Sequence, residues 1–268
     1  MGGREDTPND IGNRGQNQNR NKKQNKKNKS LRTINLNARS LKGKMDQLKT
    51  LIKEEEPHII GVTESWGKEW IKDGIFAQED YVLYRNDRED KRGGGELLYI
   101  SKKLGQRECK PLNNPANGEE FDSSIWCWVT PKKGKKVLVG NIYRPPSSTW
   151  EKNRQLMNLL GRATDIAGEN RLLYMGDFNA PKIDWVNMDT LPGARRFEKD
   201  LLKAAQDNFV NQHVHEYTWF RGDEKSTLDL FFTKEEEDMR NIKVFAPLGK
   251  TDHGIVVGDF TNANGKVE

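Results

Sequence analysis

Residues 171–185 (RLLYMGDFNAPKIDW) constrain this chain more than any other stretch. Leu172, Leu173, Tyr174 and Met175 form a run with the length and bulk of a buried strand. The run stops at Gly176-Asp177-Phe178-Asn179, with Pro181 close behind. A buried strand that delivers an acid and an amide at its carboxyl end holds polar groups rigidly at a cleft. Both residues also favour plain turns, and one short motif does not separate the two readings. The deciding question is whether other strand ends carry matching chemistry.

They do. Residues 31–37 (LRTINLN) alternate as a first strand and end in Asn37. A helical pattern follows, with Leu41, Met45, Leu48, Leu51 and Ile52 on one face and Pro57 closing it. Residues 58–63 (HIIGVT) form a second strand running into Glu64. Residues 81–85 and 96–101 read as two sides of a hairpin, with Gly93-Gly94-Gly95 as a bend that lacks the spacing of a phosphate loop. Residues 124–130 and 136–142 make another hairpin, and the second of these strands leads into Tyr143-Arg144-Pro145-Pro146. A long helix starts near Ser148 or Thr149, with Leu156, Leu159, Leu160 and Ala163 facing inward. Another covers about residues 193–207. Strands at 217–220, 226–232 and 242–246 follow, and the last, 255–260, comes directly after Thr251-Asp252-His253.

Charge is unevenly placed. Residues 1–30 hold eight Lys and Arg against three Asp and Glu, which equals the +5 of the whole chain, so the remainder balances. This segment is rich in Asn, Gln and Lys and nearly free of large apolar residues, so it is expected to be a disordered basic tail. Its Lys22-Lys23 and Lys26-Lys27 pairs suit a nuclear address, a nucleic-acid contact or a plain solvated leader. The remaining length, residues 31–262, is expected to be one domain with a sizeable core. No apolar run reaches the ~18 residues of a membrane span. The start of the chain also lacks the apolar stretch of a secretory signal. Cys109 and Cys127 cannot build a disulfide framework, and Cys127 reads as a small buried hydrophobe, which fits a reducing intracellular compartment.

Asn37, Glu64, Tyr143, Asp177, Asn179, Asp252 and His253 thus sit where apolar runs stop. Asp229 instead lies inside an apolar run, where a carboxylate is costly unless paired. A histidine is its natural partner, because Asp can hold one imidazole nitrogen and leave the other free. His253 is the best placed for this; His213 and His215 read as plain surface or core positions.

Six runs, in order, resemble the endonuclease/exonuclease/phosphatase superfamily, and most closely the endonuclease domain of LINE-type non-LTR retrotransposons. They are NLNARSL at Asn37, IGVTESW at Glu64, NIYRPP at Tyr143, GDFN at Asp177, STLD at Asp229 and TDH at His253. The resemblance implies an α/β (α+β) DNase I-like fold: a four-layer sandwich of two mixed β-sheets flanked by helices. It implies Mg²⁺, with Mn²⁺ as a substitute, held by Glu64 with Asn37 and Asp252 close by. By the same match Asp177 orients or deprotonates water, Asn179 and Tyr143 contact the phosphate, and Asp229 holds His253. Arg144, Ser226 and Thr251 are implied as substrate contacts. The set suits phosphodiester hydrolysis, which needs a hard cation on oxygen ligands, an in-line water and donors on the non-bridging oxygens.

The expected activity is Mg²⁺-dependent nicking of DNA, as retroelement target-site cleavage requires. A phosphatase on a small phosphoester is the alternative within the same fold. A third reading is a catalytically inactive nucleic-acid-binding derivative. Two positions depart from the family pattern: Thr251 replaces a usual Ser, and Glu96 replaces a usual aliphatic residue at a strand start. If Glu96 points inward, that strand end is destabilised.

Overall fold

Two crossover units organise the chain. In the first, β1 (Ser30–Asn37) passes through helix α1 (Met45–Glu55) and returns parallel to itself as β2 (Ile59–Thr63). After β3 (Tyr81–Asn86), β4 (Glu96–Ser101), β5 (Gly105–Glu108), the short α2 (Lys110–Asn113) and β6 (Ser124–Thr130) comes the second. There β7 (Val137–Tyr143) crosses through α3 (Trp150–Ala167) to a parallel β8 (Arg171–Asp177). Parallel pairing needs such a crossover, because a tight turn joins only antiparallel strands. The chain continues through β9 (Ile183–Asp184), β10 (Asp189–Thr190), α4 (Arg196–Asp207), β11 (Asn211–Gln212), β12 (Trp219–Arg221) and β13 (Glu224–Ser226). It ends with β14 (Asp229–Thr233), β15 (Met239–Phe245) and β16 (Ile255–Thr261). This computed structural model describes residues 30–88, 93–113 and 121–261. The tail expected at 1–30 lies outside the described residues except for Ser30.

Two six-stranded mixed sheets result, ordered β15-β16-β1-β2-β4-β3 and β11-β14-β8-β7-β6-β5. Alternation along their strands splits the apolar residues among three cores. One lies between the sheets, where Leu98, Val139, Met175, Phe231 and Val256 meet. The second packs Leu48 and Leu51 of α1 on Leu36, Ile60 and Val62. In the third, Leu156, Leu160 and Leu201 of α3 and α4 rest on Trp126, Tyr174 and Phe232. Helix, sheet, sheet and helix thus form four layers. Local chemistry sets the helix ends. The Thr149 hydroxyl accepts from Lys152 N at 3.3 Å to cap α3, and Glu56 closes α1 in a left-handed turn (φ +47) just before Pro57.

Most elements fall within a few residues of the sequence expectation, and four differences have physical reasons. The helix expected from 193 begins at Arg196, because Glu198 folds back to accept from Arg195 N and fixes the turn there. The single strand expected at 226–232 is two, since Leu228 N–H is taken by the Thr218 hydroxyl instead of a neighbouring strand. β5, β9, β10 and β11 are two to four residues long, too short to show a period. Glu96 does point inward, 1% exposed. Its carboxyl accepts from Asn86 Nδ2 at 2.7 Å, and burial raises its pKa well above the usual range.

Candidate active site

The carboxyl ends of both parallel pairs point to the same end of the sandwich. Asn37 ends β1, Glu64 follows β2, Tyr143 ends β7 and Asp177 ends β8. Strand carboxyl ends at such crossovers are where open α/β sheets place ligands. Asp229, which starts β14, sits directly opposite Asp177 in the antiparallel register. Asp252 and His253 arrive just before β16, with His253 bridged to Trp219 of the β12–β13 hairpin. Gly176 makes the approach feasible: at φ +144, a Cβ there would lie 1.8 Å from Ile142 O on β7.

Buried hydrogen bonds join these ends. His253 Nδ1 and Asp229 Oδ2 are 2.8 Å apart, and the same oxygen accepts from the Thr218 hydroxyl at 2.8 Å. Asn37 Nδ2 donates to Asp177 Oδ2 at 2.9 Å, and Asn179 N donates to Asp177 Oδ1 at 3.0 Å. His253 Nε2 faces Asp177 Oδ2 at 3.9 Å. Burial raises the pKa of Asp177, with the charge of Asp229 adding to the effect and His253 opposing it. For His253 burial works against the charge, but Asp229, with Asp177 and Glu64 behind it, outweighs it and raises the pKa. His253 therefore favours the imidazolium form, facing the buried Asp177 carboxyl.

Glu64 adopts φ +51 and is held from two sides. The Tyr143 hydroxyl donates to Oε1 and Trp66 Nε1 donates to Oε2 at 2.9 Å. Burial, then the neighbouring Glu64, raises the Tyr143 pKa, so this phenol stays protonated and donating. An open cleft of about 200 Å³ is lined by Asn37, Arg39, Glu64, Trp219, Arg221, Asp252 and His253.

Not every expected site residue lines that cleft. Arg144 is buried: its guanidinium lies 3.9 Å over the Phe197 ring and donates to Asn153 Oδ1 and Asn179 O. It braces the Asn179 turn, and Asn179 Nδ2 returns the contact by donating to Arg144 O at 3.0 Å. Thr251 Oγ1 reaches Asn37 O at 3.4 Å, and Ser226 gives its carbonyl to Thr218 N. Arg144, Thr251 and Ser226 are thus each bonded to a residue of the site or its neighbour and do not line the cleft. Thr218, Trp66, Arg39 and Trp219 went unflagged by the sequence, although Arg39 and Trp66 stand inside the quoted motifs.

Two groups are placed to take a cation. Asp177, Asp229 and His253 offer atoms within 4.8 Å of one another, but the histidine Nδ1 is already held by Asp229. Glu64, Asp252 and Asn37 line the cleft and carry oxygen donors, the ligand type that a hard divalent ion takes, with Asn37 Oδ1 also accepting from Arg39 N at 3.0 Å. The residues present fit such an ion.

Residues 137–260 match the family model described as endonuclease-reverse transcriptase. Among solved structures, the endonuclease domain of TRAS1, a telomere-specific non-LTR retrotransposon, superposes with TM-score 0.69 at 13% identity, covering 87% of this chain and 99% of that one. The fold is DNase I-like. An AP endonuclease from Leishmania major gives TM-score 0.71 at 13% identity over 88% of this chain and 89% of its own. A 3′ phosphatase from Neisseria bound to product DNA hairpin gives 0.63 at 15%, over 86% and 99%. No curated protein matches. Among the described residues no helix is long and apolar enough to cross a membrane.

Proposed function

We propose that this DNase I-like chain is a Mg²⁺-dependent endonuclease that hydrolyses DNA phosphodiester bonds, nicking one strand as retroelement target-site cleavage requires. The observation that carries it is the joining of Asp229–His253 and Asn37–Asp177 beside Glu64 and Asp252 at one cleft. The TRAS1 endonuclease and the DNA-bound Neisseria enzyme share the fold and support a nucleic-acid substrate.

Asp177, fixed by Asn37 and by Asn179 N, accepts a proton from the attacking water and aims it. His253, kept in one orientation by Asp229, points Nε2 toward the charge that develops on the phosphoryl oxygens and donates there. Tyr143 spends its hydroxyl on Glu64, so its part is to orient that carboxylate, and Asn179 acts through Asp177. Mg²⁺ held by Glu64, Asp252 and Asn37 would supply Lewis-acid stabilisation of the phosphate charge, with Mn²⁺ as substitute. Arg221 and Trp219 on the cleft wall suit a phosphate backbone and a stacked sugar or base.

A phosphatase on a small phosphoester is the second reading, favoured by the Neisseria 3′ phosphatase's shared fold. The half-open cleft favours the polymer substrate, since small-molecule sites bury most of their ligand. We assign residues 31–262 to the catalytic unit and 1–30 to a basic tail that contacts DNA or serves as a nuclear address. Supercoiled plasmid with purified protein is the test. Open circle should accumulate with Mg²⁺ and not with EDTA, and His253→Ala should lower the rate by on the order of a hundredfold. Equal nicking by wild type and His253→Ala would mark the activity as a contaminant.

A further inference from the structure

One cleft side chain is not used by this chemistry. Arg39 lies on the turn after β1, and its Nη1 is 2.9 Å from Asp252 Oδ2. The two side chains are 47% and 32% exposed, so water borders the pair and it can part. The backbone beneath is the opposite. Arg39 and Ser40 sit at φ +40 and +77, a left-handed pair that persists only where its surroundings over-determine it. Ala38, Ser40 and Leu41 N–H donate to the carbonyls of Thr63, Glu64 and Ser65, and Arg39 N donates to Asn37 Oδ1. The Lys44 ammonium caps the Ala38 carbonyl. Arg39 is thus anchored by its main chain between the ends that carry Asn37 and Glu64, while its guanidinium stays free to reorient.

We propose that Arg39 is a built-in counter-cation of the cleft. It holds Asp252 in the free protein, yields that carboxylate when a divalent ion binds, and then contacts a substrate phosphate. The inference rests on the nuclease reading above. A guanidinium on Asp252 and a doubly charged ion on the same carboxylate repel each other, so occupancy by one weakens the other. Once Glu64 and Asp252 face the ion, the negative charge left for Arg39 in the cleft is the substrate's, and a planar fork of donors matches phosphate oxygens.

Two readouts test this without turnover. The first is Mn²⁺ binding to DNA-free protein, followed by the free-ion electron paramagnetic resonance signal. Arg39→Ala should bind Mn²⁺ about three- to tenfold more tightly than wild type, and Arg39→Lys close to wild type. Arg39→Gly, which also relieves the left-handed backbone, should match Arg39→Ala and keeps the test usable if alanine strains the turn. The second readout is affinity for a duplex in saturating Mn²⁺, in a His253→Ala background that holds cleavage off. There Arg39→Ala should weaken binding and reduce the salt slope by roughly 0.9, the loss of one phosphate contact. Weaker Mn²⁺ binding by Arg39→Ala would make Arg39 a support for Asp252 and overturn the exchange. An unchanged salt slope would overturn the phosphate contact. If wild type fails to nick plasmid the nuclease reading fails, and the Mn²⁺ comparison still decides whether Arg39 opposes the ion.

Discussion

Thr218→Val is the sharpest test of how the Asp229–His253 pair is built. The Thr218 hydroxyl is fully buried and uses its whole hydrogen-bonding capacity, one donor and two acceptor sites. It donates to Asp229 Oδ2 at 2.8 Å and accepts from Leu228 N and Asp229 N, both at 3.0 Å. Valine keeps the shape and removes all three bonds. Two buried amides and one carboxylate oxygen then lose a partner, each at a cost of about 1–3 kcal/mol, though the losses overlap. A total near ~3 kcal/mol is expected, because the strand start can shift to relieve part of it. Asp229 would retain His253 but not its own position, so the imidazole would drift from Asp177. Urea denaturation should show the stability loss, and single-turnover plasmid nicking should fall by about ten- to a hundredfold, with the Mg²⁺ concentration for half-maximal rate unchanged. Thr218→Ser keeps the hydroxyl and should recover most of the rate. If Thr218→Val loses less than about 1 kcal/mol and nicks at the wild-type rate, Asp229 is positioned by something other than this hydroxyl.

Other perturbations read different parts of the molecule. Gly176→Ala puts a Cβ 1.8 Å from Ile142 O at φ +144, so it should cost more than about 3 kcal/mol by thermal melt; soluble protein with an unchanged melting point would refute the close approach. His213, its pKa lowered to about 4 mainly by burial, is neutral in the fold, so the unfolded chain takes up its proton first as pH falls below about 6.5. Its contribution to stability is therefore intact above that pH and lost down to about 4, by at most ~3 kcal/mol, and His213→Gln should flatten urea-derived stability across that window. Deleting residues 1–30 removes eight basic side chains, so it should weaken DNA binding and flatten its salt dependence while the saturated nicking rate stays unchanged; identical salt slopes would mean that the tail never touches DNA.

What the sequence made legible depended on how each residue acts. Asn37, Glu64 and Asp177 stand where an apolar run stops and His253 just before one starts, and runs of five to eight residues are long enough to read. Asp229 was legible for the opposite reason, as a carboxylate inside such a run with one histidine suited to it. Thr218 escaped because a threonine in the strand expected at 217–220 is ordinary, and only the fold shows that it sits just before β12 with its hydroxyl facing a carboxylate eleven residues away. Arg144 misled in the other direction. It follows Tyr143 in a motif, but the aromatic face of Phe197, more than fifty residues on, draws it out of the cleft. Sequence spacing does not encode such a long-range competitor.

The site is also where the two sheets are fastened together, which ties its chemistry to the fold. Asn37 ends β1, Glu64 follows β2 and His253 comes just before β16, all strands of one sheet; Tyr143, Asp177 and Asp229 lie in strands of the other. Asn37–Asp177, Tyr143–Glu64 and His253–Asp229 therefore each cross the gap between layers. A fourth crossing lies just behind them. Asn141 on β7 donates from one Nδ2 to both Val62 O and Leu97 O, at 2.9 and 3.0 Å, where the β2–β4 ladder ends its register. Gly61 makes room for it, since a Cβ there would lie 2.8 Å from the Asn141 amide oxygen. Deeper in, Leu98, Val139, Met175, Phe231 and Val256 give the sheets an apolar contact that is non-directional and tolerates sliding. The polar crossings are directional. They set the lateral register of one sheet on the other at the end that carries Glu64 and Asp177, so a substitution that frees any one of them should loosen that alignment before it unfolds the core.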